Sequence, residues 1–291
     1  MKVFKYFFEF IIIISLFCIF KIVGLNNAST LGGILARFIG PLFRSKKIIK
    51  ENIKTGLGII DKKKESEIIN AMWSNIGRTF AEYVFLKEFK FNRTNFNHME
   101  INGVKHLEEI KKNNEIAIFY SAHLANFELM AMELDKSEIK CAAIYRPLNN
   151  YFLNPIMEYL RIKYICSNQI PKGRMGMREI IGKVKNGYSV ALMVDQRVSE
   201  GPRTLFFNKP AHTTTIPAQL ALKYDCKLVP ISLKRKEGPS FEMTIHEPYK
   251  VKKTGNDEED TKSITLKINQ LIEKMILNNP KQWIWTHNRW K

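Results

Sequence analysis

The segment Tyr120-Ser121-Ala122-His123-Leu124-Ala125-Asn126-Phe127-Glu128 sets a carboxylate five residues after an imidazole. Five residues on an ideal helix turn through 500°, leaving the two side chains about 140° apart. His123 and Glu128 can therefore meet only if His123 lies in a turn and Glu128 in the first turns of a following helix. There the carboxylate would orient the imidazole and stabilise its protonated form, while the other ring nitrogen takes a proton from a substrate hydroxyl. Such a pair suits attack by an alcohol on a thioester, which is acyl transfer without a covalent enzyme intermediate. About 0.5 chance matches to His-x4-Asp/Glu are expected in a chain of this composition, so the pair gains weight only from the residues found with it.

Those residues come in order. Arg146 stands in Tyr145-Arg146-Pro147, Arg161 ends a helical stretch, Arg174 lies in Gly173-Arg174-Met175-Gly176 with Arg178 behind it, and Asp195-Gln196 follows an apolar run. A guanidinium suits bidentate contact with phosphate, although each of these arginines reads equally well as a solvated surface charge. Asp195 could simply close a turn. Phe206-Phe207 reads as strand core or as part of an acyl-chain wall, and Trp283, Trp285 and Trp290 as packing, because indole offers area and a single donor. Nothing in the sequence orients His212, which reads as a loop histidine, and His98, His106 and His246 receive no role.

The elements that must position these groups alternate. Ser66 to Phe89 has apolar residues at helical spacing and reads as a core helix. Glu115 to Tyr120 is a buried strand, Asn126 to Leu134 a helix with Asn126 as N-cap, and Ile139 to Tyr145 a strand. Helices follow at Tyr151 to Lys163 and at Gly176 to Lys185, the latter ending before Asn186-Gly187, and then comes a strand at Tyr188 to Val194. Ile216 to Tyr224 is helical, Lys227 to Leu233 and Phe241 to His246 are strands, and Thr261 to Leu277 is a long amphipathic helix. This alternation predicts an α/β fold with a mostly parallel sheet whose strand-end loops form a site.

Ahead of that body, Lys2 and Lys5 precede Tyr6 to Leu25, which carries charge only at Glu9 and Lys21 and has an uncharged run from Phe10 to Phe20. A helix of this length spans roughly 30 Å, one hydrocarbon thickness. The short run also fits a signal peptide, yet Gly24 to Thr30 offers no clear small-x-small cleavage site and Leu31 to Phe43 is apolar again, like an interfacial helix. A retained anchor is the better reading, with residues 1–45 as membrane anchor and interfacial segment and 46–291 as one continuous domain. Basic residues flank the span on both sides, leaning only weakly towards a cytoplasmic body. The formal net charge of +18 points to an anionic partner. No zinc-finger spacing, RNA-recognition signature or helix-turn-helix argues for nucleic acid. The four cysteines lie far apart without metal-ligand spacing and read as reduced thiols.

Taken in order, from the His-x4-Glu turn through the arginine segments and Asp195-Gln196 to Gln282-Trp283-Ile284-Trp285-Thr286-His287-Asn288-Arg289-Trp290, the sequence resembles the lipid A biosynthesis late acyltransferases. These are the lauroyl and myristoyl transferases of Gram-negative bacteria, within the glycerolipid acyltransferase superfamily. The resemblance covers essentially the whole chain. It implies a mixed, mostly parallel sheet flanked by helices, glycerol-3-phosphate acyltransferase-like, behind an N-terminal membrane helix. It also implies transfer of a C12–C16 acyl chain from acyl carrier protein, with acyl-CoA as another possible donor, to a hydroxyl of a lipid A precursor at the inner membrane, the catalytic domain on the cytoplasmic side. His123 would be the general base with Glu128 its partner, Arg161 and Asp195 would lie around the acceptor and catalytic site, and Arg146 and Arg174 would contact substrate; no metal or cofactor is implied. Other acceptors of the superfamily (lysophospholipid, an aminoacyl lipid, a phosphoinositol mannoside) and a catalytically silent membrane-surface protein are the alternatives. Family members usually have Gly where this chain has Ala125, a substitution that matters if the residue needs a positive φ.

Overall fold

A computed structural model describes residues 2–93 and 97–291. Two long helices open the chain, α1 (Lys2–Val23) and α2 (Leu25–Phe43), broken apart at Gly24, whose φ of 79° is left-handed. Next come α3 (Lys46–Leu57) and α4 (Lys62–Glu82), the latter started by Asp61, whose carboxylate accepts from the Lys64 amide at 2.8 Å. A short 3₁₀ turn leads into α5 (Leu86–Lys90), so the single core helix expected over Ser66 to Phe89 is two helices and a turn.

The body continues as β1 (Met99–Asn102), α6 (Val104–Lys112), β2 (Ala117–Ser121), α7 (Glu128–Lys136), β3 (Cys141–Tyr145) and α8 (Asn154–Leu160), which is prolonged by a π-helical turn, Arg161–Ile165. Then follow β4 (Asn168–Pro171), α9 (Arg174–Lys185), β5 (Ser189–Met193), β6 (Arg203–Phe206), β7 (Lys209–His212), α10 (Ile216–Tyr224), β8 (Lys227–Arg235), β9 (Phe241–Ile245) and α11 (Asp257–Asn278). Seven strands form one sheet in the order β1-β9-β8-β2-β5-β3-β4. Every pairing is parallel except β8 with β9, so the sheet is mixed and mostly parallel, flanked by helices. β6 and β7 form a separate hairpin. Alternation along the central strand β2 sends Ala117 and Phe119 to one core and Ile118 and Tyr120 to the other, and each face is covered by helices.

The N-terminal segment lies against this body. Phe17 and Phe20 of α1 are buried, Tyr6 meets Tyr151 edge-on at 5.5 Å, and Phe4, Phe8 and Ile22 face outward. This helix is long and apolar enough to cross a membrane. α2, expected as an interfacial helix, packs one small-residue face on α4. Gly32 and Gly77 approach so closely that a Cβ on either would strike the other's backbone carbonyl, while Phe38, Leu42 and Phe43 stay exposed on the outer face.

Candidate active site

The carboxyl end of β2 carries the site. Ser121 pairs with Met193 across the parallel β2/β5 ladder, so the residues two beyond each, His123 and Asp195, leave the sheet side by side. His123 Nδ1 lies 2.7 Å from Asp195 Oδ1, and its backbone amide donates to Asp195 Oδ2 at 3.0 Å. Trp283 Nε1 donates to the same Oδ2 at 2.7 Å. Facing a carboxylate, Nδ1 is the protonated ring nitrogen by the logic of the contact, which leaves Nε2 with the lone pair. Gln196 Nε2 stands 3.4 Å from that Nε2, and Phe127 packs edge-on against the ring at 4.6 Å. The imidazole is 17% exposed, whereas Asp195 is buried. Burial by itself would raise the Asp195 carboxyl, but the His123 charge and the hydrogen bonds from His123 and Trp283 outweigh it and hold the group at about 2.

Glu128 is placed differently from the sequence expectation. It begins α7, and its Oε1 accepts from Tyr83 Oη at 2.6 Å and from Arg161 at 2.6 Å (Nη2) and 3.2 Å (Nε). The imidazole partner is Asp195 instead. The turn between His123 and α7 carries Ala125 at a φ of +51°, and the helix start directs Glu128 towards α8 and the end of α4. Burial would lower the Arg161 guanidinium, but Glu128 and Tyr83 more than compensate and raise it; burial and Glu128 together push Tyr83 well up. Arg161 lies over the rings of Tyr145 and Tyr83, and its Nη1 is buried with no hydrogen-bond partner. That nitrogen is a cation-borne donor still to be satisfied.

The other arginines differ in reach. Arg146, exposed just after β3, lies close enough for its charge to be felt at His287. Arg174, exposed at the start of α9, follows the edge strand β4, three strand positions from β2. That is about 14 Å across the sheet at the usual spacing. Asn126 does not cap α7 through its side chain; the amide donates to Glu82 at 2.9 Å.

Sequence reasoning read the tryptophans as packing alone, and Trp283 does more, because its one donor is spent on Asp195. His287 also went unassigned: its Nε2 accepts from the Arg197 amide at 2.9 Å, bracing the loop that carries Asp195, and burial first of all brings the imidazole down to about 4. Asn52 fixes the same tail by donating to the carbonyls of Trp285 and His287 at 2.8 and 2.7 Å. Phe206 is core, ringed by Phe207, Trp283 and Trp290, and His212 ends β7 rather than lying in a loop. Among the described residues no group of three or more His, Cys, Asp or Glu could hold a metal ion.

A family model for bacterial lipid A biosynthesis acyltransferases matches residues 1–291. The chain belongs to that family. It is 23% identical over 267 residues to the lipid A biosynthesis lauroyltransferase of Escherichia coli K12, covering 90% of this chain and 83% of that one. It is 24% identical over 195 residues to the palmitoleoyltransferase of the same organism, covering 66% of this chain and 61% of that protein. A lipid A biosynthesis acyltransferase of Haemophilus influenzae is 23% identical over 198 residues, covering 66% and 60% respectively. The protein is thus an acyltransferase of lipid A biosynthesis, associated with the membrane where its lipid acceptor resides.

Proposed function

We propose that this acyltransferase moves a fatty acyl chain from acyl carrier protein to a hydroxyl of a lipid A precursor, with His123 as the general base. The observation that carries the reading is the imidazole of His123, 17% exposed, held through Nδ1 by buried Asp195 so that the lone pair is left on Nε2. His123 Nε2 takes the proton of the acceptor hydroxyl as its oxygen attacks the thioester carbonyl; the C–O bond forms, the C–S bond breaks, and the proton passes to the departing thiolate. Asp195 fixes the tautomer and stabilises the imidazolium. Glu128 serves the site by holding Arg161, and Arg161 and Arg146 meet anionic groups of the substrates. Arg174 stands further out, where a phosphate or the acidic carrier protein would arrive. The net charge of +18 suits an acidic donor protein and an anionic glycolipid. With α1 as a single-pass anchor, residues 46–291 form the catalytic domain on the cytoplasmic side, where the carrier protein is found.

The test is mass spectrometry of lipids after membranes containing the protein are incubated with lauroyl-, myristoyl- or palmitoyl-acyl carrier protein and the tetraacylated precursor. Wild-type membranes should add one acyl group and His123→Ala membranes should lose at least tenfold of that rate. Wild-type turnover by a folded His123→Ala protein removes the base; no gain with any donor removes lipid A as acceptor and turns the search to lysophospholipid, aminoacyl lipid or phosphoinositol mannoside.

A further inference from the structure

Directly beneath the turn that carries His123 lies a buried ion pair that the transfer chemistry does not use. Glu82, the last residue of α4, is fully buried, and Arg235, the last residue of β8, is 7% exposed. Their contacts run through Nη1 to Oε1 and through Nη2 to Oε2, the second at 3.0 Å. Tyr120 of β2 is level with Pro230 of β8 in the parallel ladder, and β8 continues five residues further to Arg235, past the end of β2 at Ser121.

From that position the pair and its neighbours take hold of the turn. Asn126 Nδ2 donates to Glu82 Oε2 at 2.9 Å. The Ala125 carbonyl accepts from Asn75 Nδ2 at 3.0 Å and from Thr79 Oγ1 at 3.1 Å, while Arg235 donates to both of those side chains, Nε to Asn75 Oδ1 at 2.9 Å and Nη2 to Thr79 Oγ1 at 3.3 Å. Gln282 completes the frame: its carbonyl accepts from the Ala125 amide at 3.3 Å, and its side chain clasps the Arg235 backbone at 2.7 and 2.8 Å. Ser29 of α2 donates to Glu82 Oε1 at 2.8 Å, so the N-terminal segment shares the anchor. The residue so gripped has a left-handed φ of +51° and bears a Cβ, a conformation that persists only when its surroundings over-determine it.

We propose that Glu82 and Arg235, acting through Asn75, Thr79 and Asn126, are positioning residues that hold the His123 turn in its left-handed conformation and so keep the imidazole on Asp195. This deepens the general-base reading and rests on it. A buried ion pair is no strong source of stability in itself, since apolar replacement of both partners is often neutral; here its service is geometric, and misplacement of a reacting group by an ångström costs on the order of 100-fold in rate.

The experiment uses the full chain in detergent with Glu82→Gln, Thr79→Val and the double change Glu82→Leu/Arg235→Met, which restores packing if the single change fails to fold. Expected is a loss of roughly 10–100-fold in kcat for the Glu82 variants and a smaller one for Thr79→Val, with KM changed less than about twofold. Adding Ala125→Gly to Glu82→Gln should recover at least threefold in kcat, because glycine adopts the turn without the grip. A readout independent of turnover is the downfield proton resonance between His123 Nδ1 and Asp195, assigned by its loss in His123→Ala; it should broaden or vanish in Glu82→Gln. A folded Glu82→Gln or double variant with wild-type kcat, or with that resonance unchanged, overturns the positioning role, whereas wild-type protein that keeps the resonance and transfers no acyl group overturns the functional reading instead.

Discussion

Asp195→Asn changes one atom of the site, and its consequence follows from the hydrogen bonds. In the native protein Oδ2 accepts two N–H donors, the His123 amide and Trp283 Nε1, while Oδ1 faces His123 Nδ1. An asparagine keeps the most hydrogen bonds by placing its carbonyl oxygen at the doubly donated position. Its NH₂ group then points at Nδ1, which must become an acceptor, and the ring proton moves to Nε2. The tautomer is wrong for a base, and no lone pair faces the acceptor hydroxyl. Loss of general-base catalysis alone is worth about 10²–10⁴-fold, and the imidazolium also loses its counter-charge in a buried setting. We therefore expect kcat to fall by about 10³–10⁴, or roughly 4–5.5 kcal/mol in barrier, with KM for the acyl donor little changed. The assay is initial-rate acyl transfer at saturating donor, beside thermal unfolding to show that the variant is folded. A folded Asp195→Asn enzyme within tenfold of wild type would refute the assignment of Asp195 as the orienting carboxylate.

Arg161→Lys cannot reproduce the two-nitrogen contact with Glu128, and we expect at least a tenfold loss in kcat/KM that added salt does not restore, measured by the same assay. The Nε2 of His287 is occupied by the Arg197 amide, and its depressed pKa of about 4 means that the unfolded chain binds the extra proton between pH 6.5 and 4; this contribution is intact above 6.5 and is lost as pH falls towards 4. Melting curves over that range should therefore show a shallower decline for His287→Gln, and parallel curves would remove the residue from the pH dependence. Gly77→Val drives a side chain into the Gly32 carbonyl, where backbone cannot yield, so we expect a loss of about 2–3 kcal/mol, roughly 3–5 °C in Tm. An unchanged Tm would mean that α2 does not pack on α4 as described.

The sequence was most informative where the signal is local. The apolar character of Lys2–Val23, the strands β2, β3 and β5, the helices α7, α9 and α10, and His123 in a turn just after a strand are legible from residue type and period, because burial and strand geometry act on neighbours along the chain, whereas the four-residue strands β1, β4, β6 and β7 are too short to show a period. The order of the motif segments likewise carried the family resemblance. It was that resemblance, and not local pattern, that implied a place near the site for Arg161 and Asp195, without saying what either touches.

Only the tertiary structure decided the partners. Asp195 is 72 residues from His123 and meets it because β5 lies beside β2 in matching register, a choice of neighbour that no period within either strand records. Glu128 is five residues from His123 and yet spends its oxygen on Tyr83 and Arg161, since one left-handed residue at Ala125 and the start of a helix redirect it. Trp283 reads as apolar area until the fold brings its single N–H to a buried carboxylate, and Glu82 and Arg235, 153 positions apart, become one device only where β8 runs past the end of β2. Local pattern sets which faces are buried; which donors and acceptors then share the interior is settled by long-range pairing, because each buried polar group must find a partner wherever the fold supplies one.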